Sequence, residues 1–401
     1  MQKVAAEAAV VATRFTSAAF MMALLSILLL FVLAAQPAVG ATLPEERSDA
    51  LYHRYDGGGV TIDGPALLVR KNHAETVSLR GQYYVDNVSS ASIDVVTSGA
   101  SEYSEQRTEY GVGADYLYDK AILSGGYSNS DESDYTADTW YVGVSQDFFG
   151  DLSNLSFGYS RGDDEVRQNG NPEFEGEIER HNYRIGLSQI LRPDLVLALN
   201  YEAISDEGYL NNPYRSYRYL NDPLDPSAGF SLAREVYPDT RTSDAASAKF
   251  RYHLPYRASL GGEYRYFTDD WGIDAHTAQI GYTHRIFGHY IIDLKYRYYT
   301  QTAADFYSDL FLAPSQDPDD YRARDKELSE FDSNTLSLYL TYDRTLSYDL
   351  VDRVSFSLQW DRIWFDYDNF SDLRDTEALP GEERLYDMDA DVIKVLLTVW
   401  Y

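Results

Sequence analysis

From residue 76 onward the chain alternates with period 2, and its connections alternate between tight turns and long polar loops. "YGVGADYLY" places Tyr110, Val112, Ala114, Tyr116 and Tyr118 on one face. "LVLALNYEA" places Leu195, Leu197, Leu199 and Tyr201 together, and "IIDLKYRYY" places Ile292, Leu294, Tyr296 and Tyr298 together. Period 2 is the signature of a strand with one face buried or in lipid. The pattern predicts fourteen strands, near 76–88, 106–118, 121–130, 137–148, 152–162, 181–191, 195–205, 243–254, 258–268, 276–286, 290–300, 333–343, 351–363 and 390–401. A soluble sandwich also alternates, so the connections decide. Asp119-Lys120, Gly150-Asp151, "RPD" at 192–194, "PYR" at 255–257 and "FGH" at 287–289 are tight. Between them run long polar stretches at 89–105, 163–180, 206–242, 301–332 and 364–389. This is the organisation of an all-β transmembrane antiparallel barrel, with short periplasmic turns and long external loops. Strands of this length match a tilted bilayer crossing. Closure leaves no unpaired backbone edge in lipid. An even count leaves both termini in the periplasm.

The N-terminus and composition fit export to the outer membrane of a Gram-negative bacterium. Lys3 and Arg14 precede the apolar core Ala18 to Ala35, and Ala38-Val39-Gly40 supplies small residues at the spacing a signal peptidase reads. Residues 1–40 are therefore expected to be a cleaved signal. The chain has no Cys, which suits an oxidising compartment without a disulfide framework. Its 36 Tyr find a place in two interfacial girdles. A net charge of -30 argues against nucleic acid as a partner. The final "VLLTVWY" reads as the closing strand, with Tyr401 as the aromatic signal that assembly machinery recognises. Outer-membrane lipid and lipopolysaccharide are the other expected partners.

Residues 41–75 precede the expected barrel of 76–401. Gly64-Pro65 interrupts the apolar stretch 60–70, and proline removes a ladder donor. The segment is therefore expected to be a periplasmic arm or a lumen plug. Counting 60–70 and 92–98 as strands gives sixteen instead, with unchanged parity.

The polar parity lines the lumen, and the tight turns set its register. The turn "RPD" puts Arg184 opposite Glu202, and "PYR" puts Lys249 opposite Glu263. Arg251, Arg265, Asp293, Lys295, Arg297 and Arg353 share that parity. Two readings stand: a hydrated pore that selects solutes, or a ladder of charge pairs filling the interior. Other constellations carry less. Asp387, Asp389 and Asp391 on the last strand read as an acidic rim rather than a metal site. "TSGAS" at 97–101 is similar to a flavin-attachment core, with Ser101 as the acceptor, but its Asp is displaced. Seven His accompany abundant Ser without any nucleophile elbow, so no enzyme, catalytic residue, metal or cofactor is expected.

Several words together, among them "RYDGGGVTIDGP" (54–65), "SQDFFGDL" (145–152), "DEGYLNNPYRSYRYL" (206–220), "EYRYFTDDWGIDAHTA" (263–278) and "ARDKELS" (323–329), resemble the proteobacterial outer-membrane family known as domain of unknown function 3570. The resemblance implies a barrel and a location, with no activity or catalytic residues to carry over. It also implies the company of a flavin transferase and a small lipoprotein. The expected function is a channel or facilitator for a small solute. The alternative is a plugged scaffold barrel anchoring a periplasmic, flavin or redox partner; a barrel hydrolase ranks behind both. The 206–242 and 301–332 loops are expected either to constrict the mouth or to pack on each other as a lid.

Overall fold

The computed structural model describes residues 41–90, 103–315, 317, 320–348 and 350–401. Nine strands come first: β1 (Arg47–Gly57), β2 (Val60–His73), β3 (Val77–Ser90), β4 (Tyr103–Tyr118), β5 (Ala121–Asp131), β6 (Tyr135–Phe148), β7 (Ser153–Arg167), β8 (Glu175–Arg192) and β9 (Leu195–Gly208). A small hairpin follows, β10 (Ser216–Leu220) with β11 (Phe230–Arg234). Seven more strands complete the order: β12 (Thr240–Leu254), β13 (Ala258–Asp269), β14 (Asp274–Ile286), β15 (Tyr290–Gln301), β16 (Phe331–Tyr348), β17 (Val351–Ser371) and β18 (Leu385–Trp400). All but β10 and β11 form one closed antiparallel barrel in which each strand pairs with its neighbour in the chain, β9 passes to β12, and β18 returns to β1.

The barrel therefore has sixteen strands, not the preferred fourteen. Residues 47–73, expected as an arm or plug, supply β1 and β2 of the wall. The sixteen-strand alternative had the right number with one different strand: 60–70 lies within β2, whereas 92–98 falls outside the described residues, as do the expected signal and Ser101. The added strand is β1. Proline does not break β2 because the ladder to β3 is open where it sits: Asp63 pairs with Asn87 and Ala66 with Tyr84, and Gly64 and Pro65 between them have no partner on that side. Gly64 is required by close approach, since a Cβ there would lie 1.8 Å from the Val85 carbonyl oxygen.

The outward face explains why the chain is so rich in aromatics. Tyr110, Val112 and Tyr116 of β4, Val142 of β6, Leu199 of β9 and Leu294 of β15 are all exposed. Val112 alone is 62% exposed. A continuous apolar belt of this kind requires a lipid solvent. Along β15, Tyr290 and Tyr296 bracket Ile292 and Leu294, and along β4, Tyr110 and Tyr116 bracket Val112 and Ala114. Six residues of strand rise about 20 Å, so each pair of tyrosines flanks an apolar band that a tilted strand carries through the bilayer. The seam between first and last strands is tied by Tyr401, whose hydroxyl lies 3.1 Å from Ser48 Oγ and donates to the Arg70 carbonyl at 3.2 Å. Lys71 Nζ sits 4.7 Å over its ring.

Candidate functional site

Register places every expected lumen charge on the inward face, because the belt occupies the other parity. Arg184 is the direct partner of Glu202, and Lys249 of Glu263. Their side chains meet at 2.9 Å and 3.0 Å. Arg265 lies 3.5 Å from the other oxygen of Glu202, so one carboxylate serves two strands' cations. Asp293 accepts from the Thr283 hydroxyl. Lys295 lies 4.4 Å over the Tyr339 ring, and Arg297 is 5.5 Å from that of Tyr299. Arg251 has no ion-pair partner among the described residues. Arg353 contacts the short-turn rim instead, with Glu45 at 2.7 Å and the Trp400 ring at 3.8 Å.

The distribution of these charges around the barrel was not visible along the sequence. Strands β12–β15 turn Arg241, Lys249, Arg251, Arg265, Arg285, Lys295 and Arg297 inward with Glu263, Asp269 and Asp293. Strands β3–β6 turn Asp86, Glu105, Glu109, Asp115 and Asp147 inward with Arg80 and Arg107. The strand order puts these two arcs across the lumen from each other. The interior thus has a basic wall facing an acidic wall, which sets up a field perpendicular to the pore axis.

Above the wall, three long connections pack on one another as a lid, which is the mutual packing that one of the two expectations named. The 209–239 and 302–330 connections are joined by the Val236↔Arg322 and Tyr219↔Phe311 bridges, and Tyr217 packs edge-on against Phe311 at 5.0 Å. Arg218, with no exposed surface, pairs with Asp309 and with Glu383 of the 372–384 connection, and donates to the Asp309 carbonyl at 2.7 Å. Arg324 pairs with Asp309 at 3.0 Å, donates to the Ser371 carbonyl at 2.8 Å, and lies 4.2 Å over the Phe370 ring. Two guanidiniums hold the Asp309 carboxyl below its usual range despite burial. Glu235 is different. It accepts from the Tyr237 hydroxyl at 2.6 Å and from the Arg324 amide at 2.7 Å, but burial and nearby Asp325 push its carboxyl up to about 7. A small core of Tyr237, Trp271, Ile273, Ala304, Ala323 and Leu328 seats the lid on the wall, reaching inward-facing Phe267. Beside it lies a vestibule of about 1330 Å³, whose lining includes Arg180, Arg241 and Arg265 together with Glu105, Glu132 and Asp134.

Other candidates resolve into ordinary contacts. Asp389 and Asp391 are bridged by Arg362, the latter at 2.6 Å, and Asp391 also accepts from Trp360 at 2.9 Å, so two of the three outer carboxylates share one guanidinium within the wall. Glu105, Glu132 and Asp134 lie close enough together to hold a cation, yet Ser133 and Arg107 already contact the first two. A His/Asp pair does occur: His53 Nε2 lies 2.7 Å from Asp86 and 3.1 Å from the Tyr84 hydroxyl, within the wall. Among the described residues no serine or threonine hydroxyl is hydrogen-bonded to this imidazole, whose Nδ1 has no partner.

Residues 175–358 match the family described as protein of unknown function (DUF3570), and residues 40–209 match the family described as Gram-negative porin. The resemblance drawn from the sequence is thereby borne out, although the first match leaves out its words at 54–65 and 145–152. None of the curated proteins compared matches the chain. Among solved structures, the siderophore receptor PirA from Pseudomonas aeruginosa is similar at 10% identity and TM-score 0.41, over 83% of this chain and 60% of that one. This chain thus spans less than two thirds of that receptor's length. A bacterial polysaccharide outer membrane secretin is similar at 7% identity and TM-score 0.48, over 90% and 100% of the two chains. OpdK from Pseudomonas aeruginosa, solved with vanillate, is similar at 11% identity and TM-score 0.42, over 90% and 100%. The chain is a porin-like outer-membrane β-barrel of a Gram-negative bacterium.

Proposed function

We propose that this porin-like barrel is a channel or facilitator for a small hydrophilic solute, entered through the vestibule beside the lid. One observation carries the reading: ion-paired cations of the lumen face are wet. Arg184 keeps 65% of its side chain exposed and Lys249 49%, although both face the interior and both are ion-paired. A filled barrel would bury such groups or replace them with apolar packing, and sixteen strands give a circumference at which porins retain an aqueous channel. The short-turn rim, with both termini, then faces the periplasm, and the lid faces outside among lipopolysaccharide. Tyr401, half-buried just beyond the closing strand, is the group for assembly machinery to grip.

The test is single-channel recording from the purified, refolded barrel in a planar lipid bilayer. Stable open steps are expected, growing larger when residues 209–239 are replaced by a short turn. A folded barrel that stays silent with and without that connection would overturn the channel and favour the scaffold reading.

A further inference from the structure

Three cations of the basic wall have no acid to answer them. Its carboxylates are engaged: Glu263 by Lys249 at 3.0 Å, Asp269 by Arg241 at 2.6 Å, and Asp293 by the Thr283 hydroxyl. Arg251, Lys295 and Arg297 form no ion pair among the described residues, and Lys295 and Arg297 lean on Tyr339 and Tyr299 instead.

Register shows what lies between them. Arg251 pairs with Gly261, Gly261 with Gly281, and Gly281 with Lys295, so one row across four strands reads cation, glycine, glycine, cation. Neither glycine has a positive φ, so the backbone does not demand glycine at these positions. A Cβ on Gly261 would meet only the Phe250 carbonyl oxygen, at 3.7 Å. The backbones of the two cations stand three strand spacings, or ~14 Å, apart, and the missing side chains leave a recess between them that is open at Gly261 and edged at Gly281 by the Lys295 stem, whose Cγ would lie 3.2 Å from a Cβ there. Arg297 stands above it, two residues beyond Lys295 on β15. On the outer face, Leu294 and Tyr296 flank this level, which puts the recess within the membrane-spanning part of the wall.

We propose that this recess is a binding step for small oxyanions, carboxylates or phosphates, and that it makes the pore select anions although the whole chain carries a charge of -30. The inference rests on the channel reading and names its solute class. Unpaired guanidinium and ammonium groups replace the hydration an oxyanion gives up on entering. The acidic wall opposite drives the anion toward the basic one. The two glycines keep room for it at the wall, where side chains would otherwise close over the cations.

The experiment is the reversal potential of the reconstituted barrel under a KCl gradient, followed by titration with inorganic phosphate. Wild type is expected to favour chloride over potassium, with conductance blocked as phosphate is added. Replacing Arg251, Lys295 and Arg297 together with Gln should lower the chloride-to-potassium ratio about fivefold and abolish the block. Gly261→Leu keeps every charge and fills the recess, so it should weaken the phosphate block while leaving selectivity anionic. Cation preference in wild type, or a triple variant with unchanged selectivity and block, overturns this inference and leaves the channel reading intact. A silent barrel overturns the channel reading and the anion step with it.

Discussion

Two kinds of ion pair occupy the two halves of this molecule, and their difference separates what conducts from what closes. In the lumen, Arg184 and Glu202 meet at 2.9 Å with most of the arginine side chain in water. In the lid, Arg218 meets Asp309 and Glu383 with none of its side chain exposed. A hydrated pair is worth little, because each partner trades it for water at almost no cost. That weakness suits a pore, where a passing solute must compete for the same groups. A dry pair is costly to open from either side, which suits a latch. The distinction makes the lid fragile to single changes and the lumen tolerant of them.

The largest expected effect follows from the dry pair. Arg218→Ala leaves buried Glu383 without a cation and Asp309 with Arg324 alone, and should weaken lid closure by about 3–5 kcal/mol. Amide exchange across 209–239 and 302–330 is expected to accelerate to near that of an open loop, while the barrel keeps its heat resistance in detergent. Lid protection equal to wild type would erase the contrast drawn above.

Next in size is the pH response of the lid. Glu235 faces Asp325, the Tyr237 hydroxyl, the Arg324 amide and the Arg215 guanidinium, and its carboxyl titrates at about 7 rather than its ordinary 4.5. The closed lid thus holds a proton that an open one releases, so closure is strongest below the ordinary value and weakens as pH rises through about 7. The expected loss is about 2 kcal/mol between pH 5 and 7. Asp372 runs the other way, held at about 2 by Arg374 and Arg384, and costs closure only as pH falls through that value. Exchange rates in the lid should therefore rise with pH beyond the intrinsic rate, and Glu235→Gln should flatten that excess. A variant that keeps the excess assigns the slope to another group.

A smaller change tests the ring beneath Arg324. Phe370 is fully buried and carries the guanidinium at 4.2 Å. Phe370→Leu preserves apolar contact and loses the aromatic face, for about 1–2 kcal/mol of lid stability, read by the same exchange protocol. No change would show that Arg324 is held by its Asp309 and Ser371 bonds alone.

The comparison also marks where sequence reading succeeds. Fourteen of the wall strands are legible because period 2 and tight turns are local signals, and a three-residue turn such as "RPD" fixes the Arg184–Glu202 register by itself. β1 and β2 were hidden by a true rule applied where the molecule evades it: Pro65 lacks a ladder donor, but Gly64 opens the ladder beside it. The lid is illegible for another reason. Arg218 lies 91 residues from Asp309 and 165 from Glu383, and no periodicity relates residues so far apart. Individual lumen charges could be named by parity. Their segregation into facing arcs appears only when the strands are set in order around the closed barrel, since no single stretch of sequence holds both arcs.

The smallest expected effect is the sharpest test of the wet pair. Arg184→Gln leaves Glu202 with Asn182 at 2.8 Å and Arg265 at 3.5 Å, so the carboxylate is not abandoned. Loss of one hydrated pair should change barrel stability by less than about 1 kcal/mol, within the scatter of a thermal unfolding measurement. If instead the variant unfolds as readily as one with a dry pair broken, the lumen is not wet at Arg184, and the filled-barrel reading regains its ground. An unchanged melting profile with altered single-channel conductance would place Arg184 on the solute's path and nowhere in the scaffold.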